Sequence, residues 1–127
     1  MAGTLTLDTL KTSSGVFATQ NAIGGISKAW VNFYGMSGTS IRASFNVSSV
    51  TRNSSGNYTI NFTTAMSDGN YVFTGSYEGQ SDPGAFFIYA GGGGTGTPPT
   101  TKTTTQCRVA TTNGSDAHDI NALFIGS

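Results

Sequence analysis

Apolar and polar residues alternate with a period of two through most of this chain, and helical periodicity is nearly absent. Successive side chains of a strand point to opposite faces, so the pattern predicts half-buried β-strands. Residues 4–10 put Leu5 and Leu7 on one face, and residues 11–15 form a polar break. Residues 18–25 read as a loop or a short helical turn ended by Gly24 and Gly25. Residues 26–34 put Trp30, Asn32 and Tyr34 on one face and Val31 and Phe33 on the other. Residues 40–47 predict a strand with Ile41, Ala43, Phe45 and Val47 inward and Arg42 and Ser44 outward. Val50 continues the apolar set after a one-residue phase shift, which predicts a β-bulge or a strand end.

Tyr58, Ile60 and Phe62 alternate against Thr59, Asn61 and Thr63, and the RNSSGN stretch before them predicts a hairpin loop. A turn at 67–70 leads into a strand at 71–77, with Tyr71, Phe73 and Tyr77 on one face. Residues 78–84 form a polar loop. The unbroken apolar run AFFIYA at 85–90 predicts a strand buried on both faces. GGGGTGTPP at 91–99 predicts a long exposed loop within one domain. Residues 100–110 resume as a Thr-rich strand with Thr103, Thr105, Cys107 and Val109 on one face, and 120–125 form the last strand. The sum is about seven to eight short strands with regular turns, an all-β antiparallel β-sandwich or open barrel. Residues 1–25 are expected to be an N-terminal anchoring segment with a first strand, and 26–127 the sandwich domain.

Composition narrows the function. Charged residues make up 9% of the chain, six basic against six acidic, for a net charge of zero. Nucleic-acid binding needs cations clustered on one face. Here Lys11, Lys28, Arg42, Arg52, Lys102 and Arg108 are scattered singly, so no nucleic-acid partner is expected. Polarity comes from Thr, Ser, Asn and Gly instead, a surface with little charge repulsion that suits permanent self-association. No apolar h-region opens the chain and no run approaches a membrane-spanning helix, so neither a secretory leader nor membrane insertion is expected. Cys107 is the only cysteine, which rules out an intrachain disulfide and favours a small buried hydrophobe.

Three stretches carry a family resemblance: KAWVNF at 28–33, IRASFNVSSV at 41–50, and NYTINF at 57–62 with Ala65-Met66 and Asn70-Tyr71 following. Together they resemble a module of bacteriophage tail-fibre and other virion structural proteins, notably from phages of aquatic bacteria. The last residues, 120–126, resemble the strand that closes such modules. The opening MAGTLTLDTLKTSSG resembles the virion-anchoring starts of small phage structural proteins, and only about 27 residues precede the module, so no long shaft is expected. The resemblance implies a noncatalytic virion protein made in the host cytoplasm, on the tail rather than the head. It also implies a homo-oligomer, with a trimer favoured, that contacts other virion proteins through the N-terminal segment and a glycan or protein of the host surface. A head decoration protein or a tail adaptor is the alternative.

Candidate chemistry is sparse, and neither catalytic residues nor a cofactor are expected. Trp30 with Tyr34 has the makings of an aromatic platform for a sugar, but packing in a core or subunit interface is the commoner role. Phe45, Phe62, Tyr71 and Phe73 are assigned to core or interface in the same way. Glu78, Gln80 and Asp82, with Gly92 and Thr95, mark two polar loops as receptor-contact candidates. Asp116, His118 and Asp119 fall short of the ligand set a metal needs. Glycoside hydrolysis needs a carboxylate pair. The available acids, Asp8, Asp68, Glu78, Asp82, Asp116 and Asp119, lie mostly in turns.

Overall fold

Most alternating segments among the described residues form strands, because β-branched and aromatic residues fit a pleated, half-buried surface. The computed structural model describes residues 3, 9–12, 15–18, 26–79, 85–87, 89–90, 102–112 and 114–126. It contains β1 (Thr9–Thr12), β2 (Gly15–Ala18), β3 (Ser27–Tyr34), β4 (Ser40–Phe45), β5 (Val47–Ser54) and β6 (Asn57–Phe62). After these come β7 (Val72–Gly79), β8 (Ala85–Phe87), β9 (Tyr89–Ala90), β10 (Gln106–Ala110) and β11 (Ala117–Ile125). There is no helix among the described residues.

Every strand pairing among the described residues is antiparallel. β1 and β2 form a hairpin with each other, so the first described strand covers part of the expected polar break; residues 4–8 lie outside the described residues. A five-stranded sheet has the order β4-β3-β11-β7-β8, and a four-stranded sheet the order β5-β6-β10-β9. The two face each other as a β-sandwich, with no closed barrel. Both margins are corners where the chain passes between sheets. β4 and β5 are consecutive in sequence and occupy edges of different sheets, and so do β8 and β9. Strands that switch sheets through bends are a known way of building sandwich corners.

Asn46 makes the first corner. Its φ is 55°, a left-handed conformation that Asn tolerates better than most residues with a Cβ. Its amide fixes the bend: Nδ2 donates to Lys28 O (3.0 Å) and Thr64 O (3.1 Å), and Oδ1 accepts from Thr64 N (2.7 Å). The single strand expected over 40–47 is therefore two strands in two sheets. A second correction concerns which way its residues face. Arg42 is an extra residue between the pairs Asn32–Ala43 and Phe33–Ile41, a bulge that reverses the alternation. Ile41 shares the inner face with Phe33 at the exposed edge, whereas Ala43 and Phe45 turn outward, Phe45 opposite Trp30. The phase shift expected before Val50 is present, as a register shift between Val47 and Ser49.

The core lies between the sheets. Ala29, Val31 and Phe33 of β3, Ile120, Ala122 and Phe124 of β11 and Tyr77 of β7 face Val47 of β5, Tyr58, Ile60 and Phe62 of β6, and Cys107 and Val109 of β10. Each large side chain removed from water contributes about 1.5–3 kcal/mol before entropy is counted. Phe62, Tyr71 and Phe124 meet edge to face, with ring centroids 5.1–5.8 Å apart, the arrangement their quadrupoles favour. Buried hydroxyls find partners, as they must. Tyr71 Oη lies 3.1 Å from Thr103 O and 3.2 Å from Gln106 O, and Tyr77 Oη lies 2.9 Å from Thr112 Oγ1.

The tip of the β5–β6 hairpin is locked down by the segment before β11. Gly56 has φ 64° and donates its N–H to Asp116 Oδ1 (2.9 Å), while its carbonyl accepts from Thr111 N (2.8 Å). Arg52 grips the same carboxylate through Nε and Nη2 at 2.7–3.0 Å. The Tyr58 hydroxyl lies 2.8 Å from Asp116 Oδ1 and 2.6 Å from Gly35 O, its one proton between two acceptors. Hydrogen bonding from Arg52 holds the Asp116 carboxyl below its ordinary range, against a smaller opposing effect of burial, with Gly56 N–H and Tyr58 adding to the lowering. Burial pushes the Tyr58 phenol up, and the neighbouring carboxylate adds to this.

Three further boundaries differ from expectation. AFFIYA is not one strand: β8 adds to the edge of the five-stranded sheet and β9 to the edge of the other. The strand expected from residue 100 begins only at Gln106. Thr103 instead builds a turn, its Oγ1 accepting from Thr105 N (3.3 Å) and Gln106 N (3.1 Å), the local bonding by which Thr competes with a sheet ladder. Glu78 continues β7, paired with Asp119 and Ala85, rather than starting a loop.

Candidate functional site: the outer face of the five-stranded sheet

Outward residues of β4, β3, β11 and β7 form cross-strand rows on the side away from the core. One row runs Phe45, Trp30, Leu123, Thr74, and the next Ala43, Asn32, Asn121, Ser76. The first row is largely apolar. Trp30 is 38% exposed and Phe45 55%. Between the rows lies a shallow groove of about 270 Å³, lined by Trp30, Asn32, Thr74, Asn121 and Leu123 and floored by the backbone around Gly75.

The second row is held by its own hydrogen bonds. Asn32 Nδ2 donates to Asn121 Oδ1 (2.7 Å) and Asp119 Oδ1 (2.6 Å), and Asn121 Nδ2 donates to Asp119 Oδ2 (3.2 Å). Arg42 closes the network with an ion pair to Asp119 and a hydrogen bond from Nη2 to His118 O (3.0 Å). The bulge at Arg42 is what aims this side chain across β3 toward β11. Its guanidinium also lies 5.8 Å from the centre of the Tyr34 ring, which stacks parallel to His118 at 5.9 Å. Tyr34 is thus engaged by its neighbours, and among the described residues lining the groove Trp30 supplies the aromatic surface.

A second hollow, of about 460 Å³, sits at the Asn46 corner among Ile26, Ser27, Lys28, Phe45, Thr63 and Thr64. Ile26, 55% exposed, and Phe45 give it an apolar rim.

The residues proposed from sequence separate into groups. Phe62 and Tyr71 belong to the core, with Phe73 packed against it half-buried. Trp30, Tyr34 and Phe45 lie on the outer face. Glu78 is exposed at the end of β7. Gln80, Asp82, Gly92 and Thr95 lie outside the described residues. Asp116 and Asp119 are each paired with an arginine, and Asp68 accepts from Asn70 N (2.7 Å) in its own turn. No group of three or more His, Cys, Asp or Glu side chains is placed to hold a metal among the described residues. No helix among them is long and apolar enough to cross a membrane.

Sequence reasoning passed over Asn32, Asn121 and Leu123. Alternation marks each as outward, but only the β3–β11 pairing brings Asn32 opposite Asn121. The chain matches no protein-family model, no curated protein and no solved structure.

Proposed function

We propose that the chain is a noncatalytic virion structural protein of the tail-fibre type that self-associates and meets the host surface. The observation that carries this reading is the uncovered apolar corner at Ile26 and Phe45, around the larger hollow. Soluble monomers seldom leave large side chains grouped in the open, and the uncharged polar composition opposes association little. The corner is the contact between copies, with a trimer the expected assembly. The resemblance at 28–33, 41–50 and 57–71 supplies the virion setting, with residues 1–25 meeting other virion proteins. A noncatalytic role agrees with Asp116 and Asp119 being engaged by Arg52 and Arg42.

A head decoration protein or tail adaptor is the second reading, since the same corner would serve against a different virion subunit. Sedimentation velocity tests self-association. The wild type is expected to sediment as a trimer and Phe45→Ser as a monomer; a monomeric wild type sinks the corner as a self-contact. Immunogold labelling of purified virions tests location. Gold on the tail supports the first reading, gold over the head the second, and unlabelled virions exclude both.

A further inference from the structure

We propose that the groove between Trp30 and the Asn32–Asn121 pair binds the ring of a neutral pyranose sugar. The inference deepens the host-surface reading and rests on it for its biological setting. It moves recognition from the loops to the outer face of the five-stranded sheet.

A pyranose has a C–H face that packs on an aromatic ring and a rim of hydroxyls that both donate and accept hydrogen bonds. The groove has the same division. On one side stand the exposed Trp30 ring, Leu123 and Thr74; on the other stand two carboxamides that offer both donors and acceptors. The amides are already oriented by Asp119, so a ligand meets fixed groups and little ordering cost is added on binding. Electrostatics select a neutral sugar. The nearby carboxylate and guanidinium, Asp119 and Arg42, are paired with each other, leaving no spare charge for a uronic or sialic acid. The size of the groove also limits the occupant. About 270 Å³ lies just below the range of about 300–1,000 Å³ for pockets that take drug-sized ligands, so it suits one ring of a longer glycan.

The groove lies on β3, β11 and β7, inward of the corner proposed for self-contact, so an oligomer would carry several copies of it. A shallow one-ring site binds at about millimolar Kd, equivalent to about −4 kcal/mol, and several such sites on one particle multiply adhesion by avidity.

Trp30 is the only tryptophan of the chain, so its fluorescence reports directly on the groove. The isolated full chain is titrated separately with D-glucose, D-galactose, D-mannose and N-acetyl-D-glucosamine to tens of millimolar. At least one sugar is expected to give a saturable change in Trp30 emission, with shifts in the NMR signals of the Asn32 and Asn121 side-chain amides. Asn121→Ala is expected to weaken that sugar by at least about tenfold, the factor for about 1.4 kcal/mol. Thr74→Phe, which fills the groove from an exposed position without adding a second tryptophan, is expected to abolish binding with the melting temperature unchanged. Absence of a saturable response to all four sugars overturns the proposal. So does emission that blue-shifts with protein concentration in sugar-free buffer and stops doing so in Thr74→Phe, because a second copy of the chain would then occupy the groove. Neither result depends on where antibodies label a virion.

Discussion

Arg52 and Asp116, separated by 64 residues of sequence, form a two-pronged ion pair that ties the β5–β6 hairpin to the start of β11. The carboxylate also accepts from Gly56 N–H, so one side chain holds the turn and the strand beside it. Because the folded state lowers the Asp116 pKa, Asp116 binds a proton less readily folded than unfolded. Its contribution is complete above the unfolded value of about 3.9 and is lost as pH falls through the lower folded value. Urea midpoints of the wild type are expected to drop more steeply below pH 4 than those of Asp116→Asn. At neutral pH that variant should be less stable by about 2 kcal/mol, the scale of a charge-assisted hydrogen bond. Parallel acid profiles for the two proteins would refute the assignment.

The left-handed Asn46 gives a paired test. Asn46→Ala loses the three amide hydrogen bonds, each worth about 1 kcal/mol net, and keeps a Cβ in the left-handed region. Asn46→Gly loses the same bonds but also removes the Cβ, which relieves about 1–2 kcal/mol of left-handed strain. Chemical denaturation should rank wild type above Asn46→Gly above Asn46→Ala; equal stability of the two variants would show that the Cβ carries no strain at this bend.

Two glycines of the β3–β4 turn should respond differently. A Cβ on Gly35 would lie 2.8 Å from Tyr58 Oη and 2.9 Å from Ala117 O, whereas one on Gly38 meets nothing within 4 Å. Gly35→Ala should cost about 1–3 kcal/mol through overpacking, and Gly38→Ala should stay within about 0.5 kcal/mol of wild type. Thermal melts of the pair decide this, and a neutral Gly35→Ala would contradict the packing around Tyr58.

Cys107 is fully buried between Tyr58-bearing β6 and β9, and burial pushes its thiol up to about 11. Thiolate is the reactive form, so maleimide at pH 8 should label the native chain only as fast as it unfolds. Prompt labelling of folded protein would disprove its burial.

The strands of the core were legible in the sequence, because alternation alone places Val31 and Phe33, and Tyr58, Ile60 and Phe62, on inward faces. Alternation fails where a backbone irregularity intervenes. The bulge at Arg42 turns Phe45 outward, and Asn46 sends the next residue into the other sheet. Nothing in the local pattern around Asn46 separates a corner from a continuing strand. The groove was half legible: Trp30 and Asn32 share a face by periodicity. Their company with Asn121 and Leu123 depends on β3 pairing with β11, about 90 residues later in the chain, and strand order of that kind is non-local. The Arg52–Asp116 pair was hidden for the same reason.

The placement of β4–β5 and β8–β9 at opposite margins has a mechanical consequence. Covalent chain crosses from sheet to sheet on both sides, so neither layer can peel away while the other stays intact. Pulling the layers apart loads the Asn46 bend and its clamp on Lys28 and Thr64, besides the apolar contacts between the faces. Such a unit yields as a whole, and it withstands shear better than two sheets joined along one side.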